Sequence, residues 1–486
     1  MSVLDGILVR SGFGTLPADF YLPQTPTPLP APCLVAFNAP LAEQLGLPAE
    51  PAASLVEQLA GNALAPNAQP LAAVYAGHQF GVYVPRLGDG RALLLGDIVT
   101  DHGRYELQLK GAGRTPFSRG ADGRAVLRST IREYLASEAM HGLGIPTTRA
   151  LAIVGSDQPV YRERIETAAV LSRLAPSHVR FGSFEYFHYR GMGEQVRTLA
   201  DFVIGAHFAP FAAAADRYAQ LLDAVARRTA RLVAAWQAQG FVHGVMNTDN
   251  MSILGLTLDY GPYGFLDHFE AARVFNHTDR RGRYAYANQA GIALWNLQAL
   301  AEALSSLIDA ATREAVLARF EPEFVRAYGE LMCRKLGLRE SRAGDADLID
   351  RLLQALQDGR VDYPAFMRRL GAFRPGDAAT RTPLLALSRA PLAIDAWLDA
   401  YAARLASEAD ADAVRQSRMD AVNPLYVLRT HLAERAIHLA VEQRDYGQID
   451  RLHRLLAQPF TAQPGSESYA EPPAHDVGEI VLSCSS

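Results

Sequence analysis

An α+β chain is predicted, a small β-rich unit followed by a larger helical one, and three features of the sequence predict it. Between Leu71 and Lys110, short apolar runs such as Val82-Tyr-Val-Pro, Ala92-Leu-Leu-Leu-Gly-Asp-Ile-Val and Tyr105-Glu-Leu-Gln-Leu-Lys alternate with Gly- and Asp-containing turns, the texture of strand, turn, strand. From Arg124 to His141, Leu127, Ile131, Leu135 and Ala139 recur every four residues on one helix face, and Gly142, Gly144 and Pro146 end the pattern. From Asn288 to about Leu456 helical periods follow one another, over Ile292–Leu304, Arg313–Leu336, Asp347–Gln357, Asp395–Leu405 and Pro424–Glu442. Thr148–Val154 and Ala168–Arg173 add further strands, and an apolar face of Leu221, Val225, Thr229, Leu232 and Trp236 marks a helix from Asp216 to Gln239. The expected division is an N-terminal extension over 1–70, a β-rich lobe over 71–175, a mainly helical lobe over 176–460, and a flexible Pro-, Ser-, Gly- and Glu-rich tail over 461–486.

Composition excludes several classes of function. A formal net charge of -5 over 486 residues argues against a general nucleic-acid surface, though not against one small basic pocket. The three cysteines, Cys33, Cys333 and Cys484, have no paired spacing, so neither a disulfide framework nor a zinc site is indicated. No stretch is apolar for long enough to span a membrane, and a soluble, cytoplasmic monomer is expected. Of 47 basic Lys and Arg residues, only Lys110 and Lys335 are lysine. A chain that uses arginine almost everywhere keeps lysine where a compact ammonium is wanted, which singles out Lys110 at the end of its strand as a phosphate ligand.

The stretch from Gly240 to Asp267 organises the rest. A helical pattern ends at Gly240, and His243, Asn247, Asp249 and Asn250 follow between apolar pieces that read as short strands or a hairpin, with the triplet Asp259-Tyr-Gly beyond them. Carboxylate and carboxamide oxygens on two facing loops are hard ligands suited to magnesium or manganese bound with phosphates. This is the layout of a kinase-type catalytic loop and metal-binding triplet, with one departure: counted from His243, Asn250 falls in register, but the position of the kinase base holds Val245. Asp249 is the only carboxylate in the loop and is the candidate proton acceptor, whereas Asn247 reads as an Asx residue tying down a turn. Gly88-Asp89-Gly90-Arg91 sits at a turn where glycines let backbone N–H groups approach a phosphate, although a plain hairpin turn reads the same way. A strand lysine followed by a helix glutamate matches the kinase ion pair, with Glu133 and Glu138 as rivals for the acid. Arg173 and Arg180 flank an ordered-looking connector and suit bidentate phosphate contacts, though spacing alone does not select them.

Taken together, Tyr75-Ala-Gly-His-Gln-Phe-Gly, Leu107-Gln-Leu-Lys-Gly-Ala-Gly-Arg-Thr-Pro-Phe-Ser-Arg, His243-Gly-Val-Met-Asn-Thr-Asp-Asn-Met-Ser and the terminal Cys-Ser-Ser resemble the selenoprotein O family of pseudokinases over nearly the whole chain. The resemblance implies a protein-kinase-like bilobal fold and transfer of AMP, or UMP, from the nucleoside triphosphate to Ser, Thr or Tyr hydroxyls of proteins, with the nucleotide flipped relative to kinases and pyrophosphate released. It also implies that Gly88, Gly90, Arg91, Lys110, Asp122, Gly123, Arg173 and Arg180 bind nucleotide, that Glu133 pairs with Lys110, that Asp249 accepts the proton, and that Asn250 and Asp259 hold Mg2+ or Mn2+. Some members carry a redox pair between the tail and the segment after the Asp-Tyr/Phe-Gly triplet; here those positions hold Val481 and Phe275, while Cys484 stands third from the end. The competing expectations are a non-catalytic ATP-binding scaffold and a conventional γ-phosphate kinase.

Overall fold

A computed structural model describes residues 3–101, 103–474 and 480–482. The chain is α+β, built on one nine-stranded antiparallel sheet. Its strands run in the order Tyr21–Pro23, Leu71–Ala73, Ala92–Thr100, Gly103–Lys110, Ile165–Ala175, Arg149–Tyr161 and Cys33–Phe37, with Leu8–Val9 added to Ala92–Thr100 and Ala125–Val126 to Ile165–Ala175. The strands expected from the alternating texture form where anticipated, but the first 70 residues also contribute three strands and three α-helices, Leu4–Ile7, Ala39–Gln44 and Ala53–Leu59.

Those helices explain why Ala92-Leu-Leu-Leu reads as a continuous apolar run. Successive side chains of a strand point to opposite faces. Leu94 packs with the Leu127–Gly142 helix through Ile131 and Leu135. Leu93 and Leu95 pack on the other face with Leu41, Leu55 and Leu59. A sheet covered on both faces buries both alternations, so its strands lose the polar half of the pattern.

The helical part follows the expected periods with two corrections. The period over Arg313–Leu336 is broken into Ala310–Leu317 and Phe320–Lys335. Pro322 lacks an N–H and its ring crowds the preceding turn, so a continuous helix through Ala318 and Arg319 is not available. The expected Pro424–Glu442 helix starts only at Thr430, because the N–H groups of Leu425 and Tyr426 both donate to the Pro459 carbonyl and hold that segment out of the helix. The organising loop emerges from the Arg217–Ala238 helix, which Gly240 ends in the left-handed region at φ 69°. The loop is flanked by the two-stranded ribbon Phe241–Val242 with Gly264–Phe265.

Residues 461–474 of the expected tail lie along the helices, with the Tyr469 hydroxyl donating to Gln448 at 3.0 Å and Arg369 pairing with Glu471 at 3.0 Å. Leu482 is buried, and its carbonyl accepts from the His277 N–H at 3.0 Å. Phe275 is buried against Gly264 and Val481 is exposed, and neither side chain contains sulfur; Cys484 lies outside the described residues. Among the described residues, no helix is long and apolar enough to cross a membrane.

The second lysine is a core residue. Lys335 is 3% exposed, its ammonium donates to Gln239 Oε1 at 2.9 Å, and burial lowers its pKa to about 7. The unfolded chain protonates this side chain near its ordinary value, so it binds the extra proton between about pH 7 and about pH 10, and stability rises with pH across that window. Lys335→Met is expected to flatten that rise and to stabilise the protein at pH 7 by on the order of a few kcal/mol, measured by denaturant unfolding at pH 6 to 10.

Candidate functional site: a buried charge cluster beside the Asp249 loop

The pairing of two strands assembles the cluster. Lys110 ends Gly103–Lys110, and Gln108 lies two residues earlier on the same face. On the neighbouring strand Arg173 stands directly opposite Gln108 in the register, so Gln108, Lys110 and Arg173 share one side of the sheet. Arg173 Nε donates to Gln108 Oε1 at 3.2 Å.

The Leu127–Gly142 helix crosses that face and delivers Glu133. One Glu133 oxygen accepts from Lys110 Nζ at 2.5 Å and the other from Arg173 Nη1 at 3.0 Å. Glu138, the rival acid, is engaged elsewhere, accepting from Arg149 at 2.8 and 3.0 Å and from the Ala150 N–H at 3.0 Å. A helix turn and a half separates the two glutamates, and only Glu133 meets the lysine.

Asp259 closes the cluster from the far loop. It accepts from Lys110 Nζ at 2.7 Å, from Arg173, and from Arg180 Nη1 at 3.4 Å. Burial would raise its carboxyl, but Arg173, Lys110 and Arg180 together hold it well below the usual carboxylate range. Arg180 caps the Phe181–His188 helix, lies over the Tyr75 ring at 4.4 Å, and donates to the Asp249 carbonyl at 2.8 Å. Three cations thus face two carboxylates, Glu133 and Asp259. Burial raises the carboxyl of the nearby Asp89 in spite of Arg180.

Asp249 is 8% exposed, and burial pushes its carboxyl up to about 6. Its Oδ2 accepts from Gln79 Nε2 at 3.2 Å, while Oδ1 is buried with no hydrogen-bond partner. Asn250 donates its amide to the Val245 carbonyl at 2.9 Å, which turns Oδ1 away with no partner among the described residues. That free oxygen and the lightly used Asp259 Oδ2 are hard donors that fit a divalent ion. Among the described residues no group of three or more His, Cys, Asp or Glu side chains would hold a metal alone. An ion at Asn250 and Asp259 would therefore share its coordination with phosphate oxygens or water. His243 is a core histidine, tilted against Trp236 with ring centroids 5.2 Å apart and lowered to about 4 by burial.

The remaining candidates are placed less directly. Gly88 has φ 65°, and a Cβ there would lie 2.3 Å from the Phe117 ring; one at Gly90 would lie 2.9 Å from the Phe117 carbonyl oxygen. These glycines are thus required by packing, whatever else the turn does. Arg91 is exposed at the strand entry and shares a small cavity with Lys110 and Glu133. Gly123, at φ 71°, backs onto the Gly113 carbonyl, 2.1 Å from where a Cβ would sit. Asp122 is held by Arg162 through two contacts of 2.8 Å and by the Arg124 N–H, and does not touch the cluster. Sequence reasoning assigned no role to Gln108, Tyr75 or Gln79; position i−2 from Lys110 was a usable signal for the first, and the other two lie in the Tyr75–Gly81 motif, whose spacing does not show what it touches.

The geometry sets a buried cluster of three cations and two carboxylates next to a further buried acid, Asp249. Residues 8–457 match the family model described as protein adenylyltransferase SelO. The chain is 54% identical over 495 residues to a protein named protein nucleotidyltransferase YdiU from Thioalkalivibrio sulfidiphilus, and 51% identical to proteins of that name from Myxococcus xanthus and Thiobacillus denitrificans, each alignment covering 100% of both chains. The chain belongs to the SelO family.

Replacing Glu133 by Gln leaves Lys110 and Arg173 short of one buried carboxylate. A loss of about 3 kcal/mol is expected for breaking such a pair, measured by denaturant unfolding, with Glu138→Gln perturbing the Arg149 contact but not the cluster.

Proposed function

We propose that this chain, a protein nucleotidyltransferase by family, transfers AMP, or UMP from UTP, to Ser, Thr or Tyr hydroxyls of proteins. It acts as a cytoplasmic monomer with a kinase-like bilobal cleft between the 71–175 and 176–460 lobes. The observation that carries this reading is the junction of the Lys110, Arg173 and Arg180 cluster with Asp249 through one arginine, Arg180, which touches both.

The triphosphate lies reversed relative to a kinase substrate. Its β- and γ-phosphates go inward to Arg173, Arg180 and Lys110, where forked guanidiniums suit bidentate phosphate contacts, and the α-phosphorus faces the acceptor. Arg91 and the Gly88–Gly90 turn, with Gly123 and Asp122, line the nucleotide's remaining length. The acceptor oxygen forms a bond to the α-phosphorus as the bond from that phosphorus to the α,β-bridging oxygen breaks. Its proton passes to the Asp249 carboxylate, and pyrophosphate leaves with the bonding pair. Asp249 is suited to the task because Val245 supplies no base at the kinase position and the loop holds no other acid. A Mg2+ or Mn2+ ion held by Asn250 and Asp259 would neutralise charge on the phosphates.

Incubation with α-labelled and γ-labelled ATP separates the readings. Label from the α position alone is expected in protein; label from the γ position indicates a conventional kinase, and neither indicates a scaffold. Lys110→Ala and Asp259→Ala are each expected to abolish transfer with retained circular dichroism, and Asp249→Ala to lower it by about 100-fold or more.

A further inference from the structure

The motif Tyr75-Ala-Gly-His-Gln-Phe-Gly contributes no cation and no phosphate ligand to the site, yet it is bound to the catalytic loop residue by residue. It folds as the ribbon Gly77–Gln79 with Val82–Val84. The His78 N–H donates to Thr248 Oγ1 at 2.7 Å, Gln79 Nε2 to Asp249 Oδ2 at 3.2 Å, and the Phe80 N–H to both Asn247 Oδ1 at 3.2 Å and the Tyr284 hydroxyl at 3.0 Å. The Tyr284 hydroxyl itself donates to Asn247 Oδ1 at 2.6 Å. Three consecutive hairpin residues thus hold three consecutive loop residues, 247 to 249. The far side is fixed as well, since His78 Nδ1 meets the fully buried Glu185 at 2.7 Å.

Two details show that the fit is tight. A Cβ at Gly77 would lie 2.7 Å from Asp249 Oδ1 and 2.9 Å from Asp249 Cβ, so the hairpin backbone closes directly on the carboxylate. Phe80 is held at φ 52°, a conformation a bulky side chain keeps only where its surroundings impose it. Its N–H is the group that Asn247 and Tyr284 grip.

We infer that Gln79 is the positioning residue for the proton acceptor, steering Asp249 so that Oδ2 is the oxygen offered to the incoming hydroxyl. Oδ1 is sealed against Gly77 and has no partner, so it does not meet the acceptor. Oδ2 takes one hydrogen bond from the Gln79 amide and keeps a second lone pair, as a carboxylate oxygen can. A neutral amide donor orients the carboxylate without adding a charge. The same hairpin holds the side chains of Asn247 and Thr248 just before the carboxylate, which makes the loop's alignment a property of residues about 170 positions upstream.

This inference rests on Asp249 as the proton acceptor, and the experiment keeps the two separable. Gln79→Met keeps length and removes the donor. Transfer of α-label from ATP to protein is measured for Gln79→Met, Gly77→Ala and Asp249→Ala, with ATP affinity by calorimetry and melting temperature for each. Gln79→Met is expected to lower kcat by about tenfold or more at unchanged Kd for ATP, as misplacement of a reacting group does. A kcat within twofold of wild type overturns the positioning role, and so does an equal loss in kcat and ATP affinity, which would make the hairpin part of the nucleotide site. If Gln79→Met does not fold, Gly77→Ala carries the same test, because it leaves the amide in place and pushes Asp249 aside; an unchanged kcat there overturns the inference. Retained transfer in Asp249→Ala removes the base assignment itself, whereas loss there with wild-type kcat in Gln79→Met removes only the role of Gln79.

Discussion

The contact on which the site depends is that of the Asp259 carboxylate with Lys110, Arg173 and Arg180. Each cation comes from a different place: the end of one strand, the middle of its neighbour, and the cap of a helix. Each would be costly to bury alone. One acid on the far loop draws all three together and ties the sheet to that loop, while Glu133 completes the arrangement from the helix that crosses the sheet.

The loop around Asp249 is clamped between the Gly77–Gln79 hairpin and the Phe181–His188 helix. Gly77 closes on Asp249 from the hairpin, and Gly182 on the Phe181–His188 helix approaches so closely that a Cβ there would lie 2.0 Å from the Ala76 carbonyl oxygen. The hairpin strand, the Asp249 loop and that helix are stacked at backbone contact. Small side chains at Gly77 and Gly182 are the condition for it, and interiors of this density transmit a misfit at one residue to its neighbours. Arg180 then links the stack to the charge cluster by donating to the Asp249 carbonyl and to Asp259.

Much of the fold was legible because it is local. The Arg217–Ala238 helix and the helix expected over 124–141, found at Leu127–Gly142, announce themselves by apolar period and by the glycines that end them. Boundaries failed where a distant group intervened, as at Thr430, whose helix is delayed by two bonds to the Pro459 carbonyl, or where a local rule was passed over, as at Pro322. The first 70 residues were read as an extension because their strands are short and their sheet partners lie far along the chain, Cys33–Phe37 pairing with Arg149–Tyr161.

By itself the sequence determined the chemical inventory: a lone strand lysine at 110, a loop with Asp249 and Asn250 but Val245 where a base would stand, and an acid at 259. These are decided by residue type and spacing along a few neighbouring positions. Only the tertiary structure decided which acid pairs with Lys110, that Asp122 is tied to Arg162 rather than to the cluster, and that Gln79 meets Asp249. The reason is physical: choosing Glu133 over Glu138 depends on how one helix is rotated on the sheet, and bringing Gln79 to Asp249 depends on packing across about 170 residues, neither of which any local pattern encodes.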